Sequence, residues 1–197
     1  MRIFLVDGDS EMISAWNWAF ADVSDIHILN NPPHEVDLMD AIAYPIDTFG
    51  IDAKYNERWL GTRDAVRKSI HDNFYGELPV GQATIVNIPD KYKKKYLIAA
   101  SVAPDESRSA YFAFRAVLRI IKSWNEKHSK LWDVVVFTNP LPGVFSYQTA
   151  LQMRVAYEAL HGRGPIYNIQ KQEDADELQK MLTTCHKPFP LSNLNFK

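Results

Sequence analysis

Only one of the 197 residues is a cysteine, Cys185. That excludes an internal disulfide framework and any cysteine-rich metal site. It also makes the reducing cytoplasm the expected compartment. No run reaches the eighteen or more apolar residues that a membrane-spanning helix needs, and no membrane association is expected. The opening "MRIFLVDGDS" turns acidic too soon to read as a secretory signal. Neither sign of charge prevails. Twenty-two Lys and Arg stand against 24 Asp and Glu, for a net charge of −2, so composition exerts no whole-surface pull toward nucleic acid. Six histidines (His27, His34, His71, His128, His161, His186) are scattered, none at metal-ligand spacing with another histidine or cysteine. There is no Gly-x-Ser-x-Gly elbow, no phosphate-binding P-loop and no internal repeat. Neither a metal nor a bound cofactor is expected.

What is present is the material of one globular domain. Apolar residues make up 46% and charged residues 23%, and a chain of this length can bury a sizeable core. "RIFLV" reads as a buried strand ended by the turn formers Asp7-Gly8-Asp9. Ser10 is positioned to cap the helix that follows, with apolar residues Met12, Ile13, Trp16, Ala19 and Phe20 at helical spacing. "IHIL" and "MDAIAY" read as strands, the second stopped by Pro45. "NERWLGTRDAVRKSIHDNF" reads as a helix ending near Gly76. "QATIVNI" and "KYLIAAS" are strands around the basic turn "PDKYKKK". "SAYFAFRAVLRIIKSWNEK" is an amphipathic helix whose cations gather toward its C-terminal half, as the helix dipole favours. "WDVVVFT" is the cleanest strand and is expected at the centre of the sheet, and "QTALQMRVAYEALHG" is a helix ended by Gly162.

Strands alternating with helices predict an α/β domain, with helices on both faces of a largely parallel sheet. Ligands of such sheets bind beyond the strand C-termini, which directs attention to four loops: "DGDS", "NNPP", "PIDTFGIDAKY" and "NPLPGVFSY". In the third, Asp47 and Asp52 are the candidate polar groups, and Gly50 permits close backbone approach to a ligand. The plainer reading is that Asp47 and Thr48 form a turn and cap the next helix. In the fourth, Phe145 and Tyr147 are candidates to stack on a base or line a ribose. The acids of "VDGDS" suggest a phosphoacceptor cluster, but the lysine-proline at Lys187 and Pro188 lacks the buried strand that should precede it.

The element order and several motifs resemble the macro domain family, most closely a bacterial and phage branch. "VDLMDAIAYPIDTFG" is similar to its strand and first ligand loop, and "GELPVGQATIV" to its Pro-x-Gly-x-Ala segment. "KYLIAASV", "SAYFAFRAVL" and "WDVVVFTNPLPGVFSYQTALQMRVAYEA" are similar to the core strand, helix and second ligand loop that follow. The resemblance covers about residues 1–160 and implies a three-layer α/β/α fold with a mixed, mostly parallel central sheet. It also implies a domain over residues 1–164 with a C-terminal extension, 165–197, packed on it.

The same resemblance implies a site for ADP-ribose or a related nucleotide derived from NAD. Asn30 or Asn31 falls near the family's adenine reader, and Asp47 where an asparagine faces the distal ribose. Phe49 and Gly50 lie in the first phosphate-facing loop, Gly143 and Val144 in the second, and Phe145 near a ribose-lining position. Thr48, Asp52, Asn139 and Tyr147 complete the candidate ligand-binding set. Two departures stand out. Asp47 replaces the asparagine, and most loop glycines are missing, with "IDAKYNE" and "NPLPGVF" in their places. A carboxylate within about 5 Å of a phosphate costs on the order of 1–3 kcal/mol at an effective dielectric near 20, unless a cation such as Lys54 or Arg58 intervenes. Nucleotide binding is the leading expectation. The alternatives are hydrolysis of ADP-ribosyl linkages or the 1″-phosphate, with Asp47 or Asp52 as the base, and a fold that acts through a protein partner.

Overall fold

A computed structural model of the chain describes residues 1–30, 40–50, 61–89, 96–102, 108–128, 131, 133–137 and 146–162. The described elements run in the order β1 (Arg2–Asp7), α1 (Ser10–Ala19), β2 (Ile26–Asn30), β3 (Ala41–Ile46), α2 (Thr62–Phe74), β4 (Ala83–Asn87), β5 (Tyr96–Ser101), α3 (Ser109–Lys127), β6 (Asp133–Phe137) and α4 (Ser146–Leu160). The strands form one sheet in the order β2-β1-β6-β3-β5-β4. All neighbours are parallel except β4 and β5. The strand "VVVF" is therefore central, as its unbroken apolar run requires of a strand covered on both faces.

Side-chain alternation along the strands divides the core in two. Ile3, Leu5, Ala41, Ala43, Ile98, Ala100 and Val134 face a layer of three helices, α1, α3 and α4. Val6, Ile42, Ile46, Leu97 and Ala99 face α2 through its Val66 and Ile70. The result is the expected three-layer α/β/α sandwich with a mixed, mostly parallel sheet. Helix α3 follows its sequence pattern: Phe114, Val117, Leu118 and Ile121, spaced by three and four residues, are buried.

Helix α4 is different. Gln148 and every residue from Ala150 to Ala159 are buried, including Gln152, Arg154 and Glu158. Its polar groups are used to tie helices together. Gln152 Oε1 accepts from the backbone N–H of Tyr111 at 3.2 Å, and so caps the first turn of α3, which has no side-chain cap from its own N-cap residue, Arg108. Arg154 donates to Ala19 O at 2.8 Å and to both carboxylate oxygens of Asp22 at 2.6 and 3.0 Å. It also pairs with Glu158 Oε1 at 2.7 Å. Burial pushes the Arg154 pKa down, but the Asp22 hydrogen bond and the charges of Glu158 and Asp22 outweigh it and hold the guanidinium above its ordinary range.

Two sequence expectations need correction. Asp9, not Ser10, is the N-cap of α1: its backbone is extended and its carboxylate accepts from Glu11 N–H at 2.9 Å. Asp7 Oδ1 likewise accepts from Asp9 N–H at 3.0 Å, so the acids of "VDGDS" build a turn and a cap. Pro45 does not stop β3, which continues through it to Ile46 with Pro45 in register with Ala100. Alternation turns the proline nitrogen toward β6, and the pairing of β3 with β6 ends at Ala43. The missing N–H is therefore not needed there. The helix expected from "NERWLGT" onward is described only from Gly61, its N-cap, and ends at Tyr75 and Gly76, both at positive φ. The short helix expected over "EDADELQKMLTT", and the whole extension 165–197, lie outside the described residues.

Candidate functional site

The five parallel strands, β2, β1, β6, β3 and β5, end at one edge of the sheet. Read across in sheet order, the edge presents Asn30, Asp7, Phe137, Ile46 and Ser101. Asn30 is exposed and in register with Asp7. Three strand spacings separate β2 from β3, so a ligand reaching from Asn30 to Asp47 spans about 14 Å. The centre of the edge is stepped. Pairing of β6 with β3 stops at Val136 and Ala43, while β3 continues against β5 for three more residues.

The segment after β3 is a tight turn built on Asp47. Asp47 Oδ1 accepts from Phe49 N–H at 2.8 Å, and its carbonyl accepts from Gly50 N–H at 3.2 Å. This is the Asx-type geometry that an aspartate favours. Leu78 N–H donates to Thr48 O at 2.8 Å and Val102 N–H to Ile46 O at 2.9 Å, which stitches the turn to the segments flanking β4 and β5. Gly50 is buried at φ +67, and a Cβ built there would meet Ile70 Cδ1 at 2.9 Å and Val66 Cγ1 at 3.2 Å. Its lack of a side chain thus serves packing against α2. Phe49 points outward and is 53% exposed.

Helix directions set the field at this edge. Helix α1 starts at Ser10, three residues after the end of β1. The first turn of α3 lies beside Gly81, where an added Cβ would meet Phe112 Cδ1 at 3.4 Å, and Gly81 N–H donates to Ser101 O. The Gln152 cap on Tyr111 brings the N-terminal half of α4 to the same level. Three helix N-termini therefore lie at the edge, each favouring negative charge by about 0.3–1 kcal/mol. Helix α2 runs the other way: Gly61 lies near Pro89, beyond the far end of β4, and its C-terminus returns toward Thr48. Arg108 adds a cation at the α3 side, with its guanidinium 5.1 Å from the Phe112 ring centroid.

Of the expected site residues, Asn30, Asp47, Thr48, Phe49 and Gly50 lie at this edge. Tyr147 opens α4, and its ring sits edge-on to Trp18 at 5.8 Å, inside the helix layer. Asn31, Asp52, Asn139, Gly143, Val144 and Phe145 lie outside the described residues. Among the described residues no three histidines, cysteines or carboxylates come together as a metal site, and no helix is long and apolar enough to cross a membrane. Sequence reasoning passed over Ser101, whose only signal was a polar residue closing the apolar run "YLIAA". It is fully buried beside Ile46, and its Oγ has no hydrogen-bond partner among the described residues. An unpaired buried hydroxyl costs about 1–3 kcal/mol. Replacing Ser101 with alanine is therefore expected to stabilise the fold by about 1 kcal/mol, read as a raised denaturation midpoint at unchanged slope.

No protein-family model matches the sequence, and no curated protein matches it significantly. Among solved structures, the macrodomain of DarG from Mycobacterium tuberculosis is similar with a TM-score of 0.51 and 16% identity, over 66% of this chain and 88% of that one. A mutant macrodomain from Oceanobacillus iheyensis is similar with a TM-score of 0.41 and 13% identity, over 62% and 87% of the respective chains. At such identity a likeness speaks for the path of the backbone and not for the ligand, and the path followed by this chain is the macrodomain fold.

Proposed function

We propose that the C-terminal edge of the sheet binds ADP-ribose or a related NAD-derived nucleotide. The observation that carries the reading is the meeting, in a macrodomain fold, of Asn30 and the Asp47–Gly50 turn at an edge where three helix N-termini favour an anion. On this reading Asn31 joins Asn30 at the adenine end, and Asp52, Asn139, Gly143, Val144 and Phe145 complete the loops around the phosphates and ribose. Residues 1–164 would form the binding domain and 165–197 an extension packed on it. The lone cysteine and the loop motifs support a cytoplasmic protein of the bacterial and phage branch.

Calorimetric titration with ADP-ribose, NAD and cyclic ADP-ribose isomers tests the reading. Saturable binding of one molecule of at least one of them is expected. If no adenine nucleotide binds at millimolar concentration, the edge is not a nucleotide site. A second reading, action through a protein partner, draws on Phe49, Tyr75 and Val80. They are three of the four exposed large apolar side chains among the described residues. All three lie in the two segments joined by the Leu78–Thr48 hydrogen bond.

A further inference from the structure

The two faces of the sheet are covered unequally. Helices α1, α3 and α4 lie on one face, and among the described residues α2 is the one helix on the other. Six strands span about 24 Å from edge to edge, and a helix covers about 10 Å of that. Helix α2 packs chiefly on β4, the outermost strand. Strand β1 stands four places further across the sheet, about 19 Å away. Yet the α2 side of β1 and β2 is built as a core face. It carries Phe4 and Val6 in register with His27 and Leu29. Val6 is 1% exposed, the other three are half-buried, and the Phe4 ring stacks on the His27 ring at 5.0 Å. Apolar residues on both faces of β1 call for a layer on each.

The chain leaves the described residues beside this face. The last turns of α4 reach the start of β1: Tyr157 Oη donates to Asp25 Oδ1 at 2.6 Å, and Asp25 O accepts from Ile3 N–H at 2.9 Å. Residues 163–197 follow. Every other segment outside the described residues is ten residues or shorter and connects two elements, so none has the length for both a helix and the links around it. In the C-terminal segment Ala175, Leu178, Leu182 and Cys185 recur at spacings of three, four and three, with Met181 beside them and polar residues between. A helix over 174–185 is about 18 Å long, against about 20 Å for β1. Residues 163–172, fully extended, span up to about 33 Å, which carries the chain around the end of the sheet.

We infer that the α2-side face of β1 and β2 is a docking surface for the chain's own C-terminal segment, which seats Leu178, Met181 and Leu182 on Phe4, Val6 and Leu29. The inference rests on the reading that 165–197 packs on the domain, and not on the nucleotide reading.

The test uses the full chain. Leu178→Asp and Leu182→Asp place a carboxylate on the stripe and leave the described elements untouched. Each is expected to lower the denaturant midpoint. Unchanged midpoints in both would overturn the packing of 165–197 and this inference together. Cys185 is the only native thiol, so a second cysteine locates the segment. His27→Cys and Leu29→Cys stand on the proposed face, and Arg119→Cys is exposed on α3, across the sheet. With a short bifunctional thiol reagent, at least one of the first two is expected to cross-link to Cys185 within the same chain about tenfold faster than Arg119→Cys, because proximity raises the effective concentration. Adding Leu182→Asp is expected to slow that cross-link. Lowered midpoints without this preference would place the segment elsewhere and overturn the inference alone. Cross-linked dimers in place of the intramolecular product would give the face to a second copy of the chain and overturn it as well.

Discussion

Replacing Arg154 with methionine is expected to lower the unfolding free energy by about 3–5 kcal/mol. The guanidinium is buried, 4% exposed, between Asp22 and an equally buried Glu158. It also holds the carbonyl of Ala19, where α1 ends. Methionine replaces the aliphatic stem of the side chain but cannot donate to any of these groups. The change leaves the Glu158 carboxylate desolvated without its cation and removes the tie between α1 and α4. The expected readout is a large fall in the denaturant midpoint at unchanged slope. The second half of the test is the double variant Arg154→Met, Glu158→Leu, which removes the stranded charge. It is expected to recover at least half of the loss, because a buried pair replaced by apolar groups is often near neutral. Asp22 is 67% exposed, so water solvates it once the arginine has gone. A double variant no more stable than the single one would show that the loss comes from the Ala19 tie and not from the buried charge.

Replacing Gly50 with alanine is expected to cost about 2–5 kcal/mol. Two effects add. At φ +67 an L-residue with a Cβ is strained by about 1–2 kcal/mol. The new methyl would also meet Ile70 Cδ1 at 2.9 Å and Val66 Cγ1 at 3.2 Å in a packed core, an overpacking cost of about 1–3 kcal/mol. The two can be separated. Ile70→Val removes the Cδ1 methyl that clashes, at a cost of about 0.5–1.5 kcal/mol alone. In the Gly50→Ala background the same change is expected to be neutral or stabilising. A double-mutant cycle with no coupling between the two positions would leave backbone strain as the whole cause. Because Gly50 sits in the turn beside Asp47, the variant should also weaken any nucleotide bound at the edge, and comparing affinity with stability tests whether the turn must be rigid to bind.

Much of the architecture was legible in local pattern. The run "RIFLV" before Asp7, the continuous "VVVF" and the three-and-four spacing of Phe114, Val117, Leu118 and Ile121 each pointed to one element, because periodicity reports which faces are covered. The turn at Asp47 was equally readable, since an aspartate after a strand bonds the amide two residues on whatever lies around it. Where local pattern misled, the cause was a neighbour distant in sequence. Pro45 reads as a strand stop, yet it is tolerated in β3 because β6 has ended its pairing by then. Nothing near residue 45 carries that information.

By itself, then, the sequence determined an α/β layered domain, the order and type of its elements, and the loops that a ligand could meet. These follow from side-chain hydrophobicity, periodicity and turn chemistry, which act within a few residues. Only the tertiary structure decided the sheet order, which inserts β6 between β1 and β3. It likewise decided the use of Gln152 to cap α3, the burial of Arg154 and Glu158 inside α4, and the contact with Ile70 and Val66 that makes Gly50 a glycine. Each of these depends on pairings across tens to more than a hundred residues, whose energies are set by which surfaces meet and not by which residues adjoin.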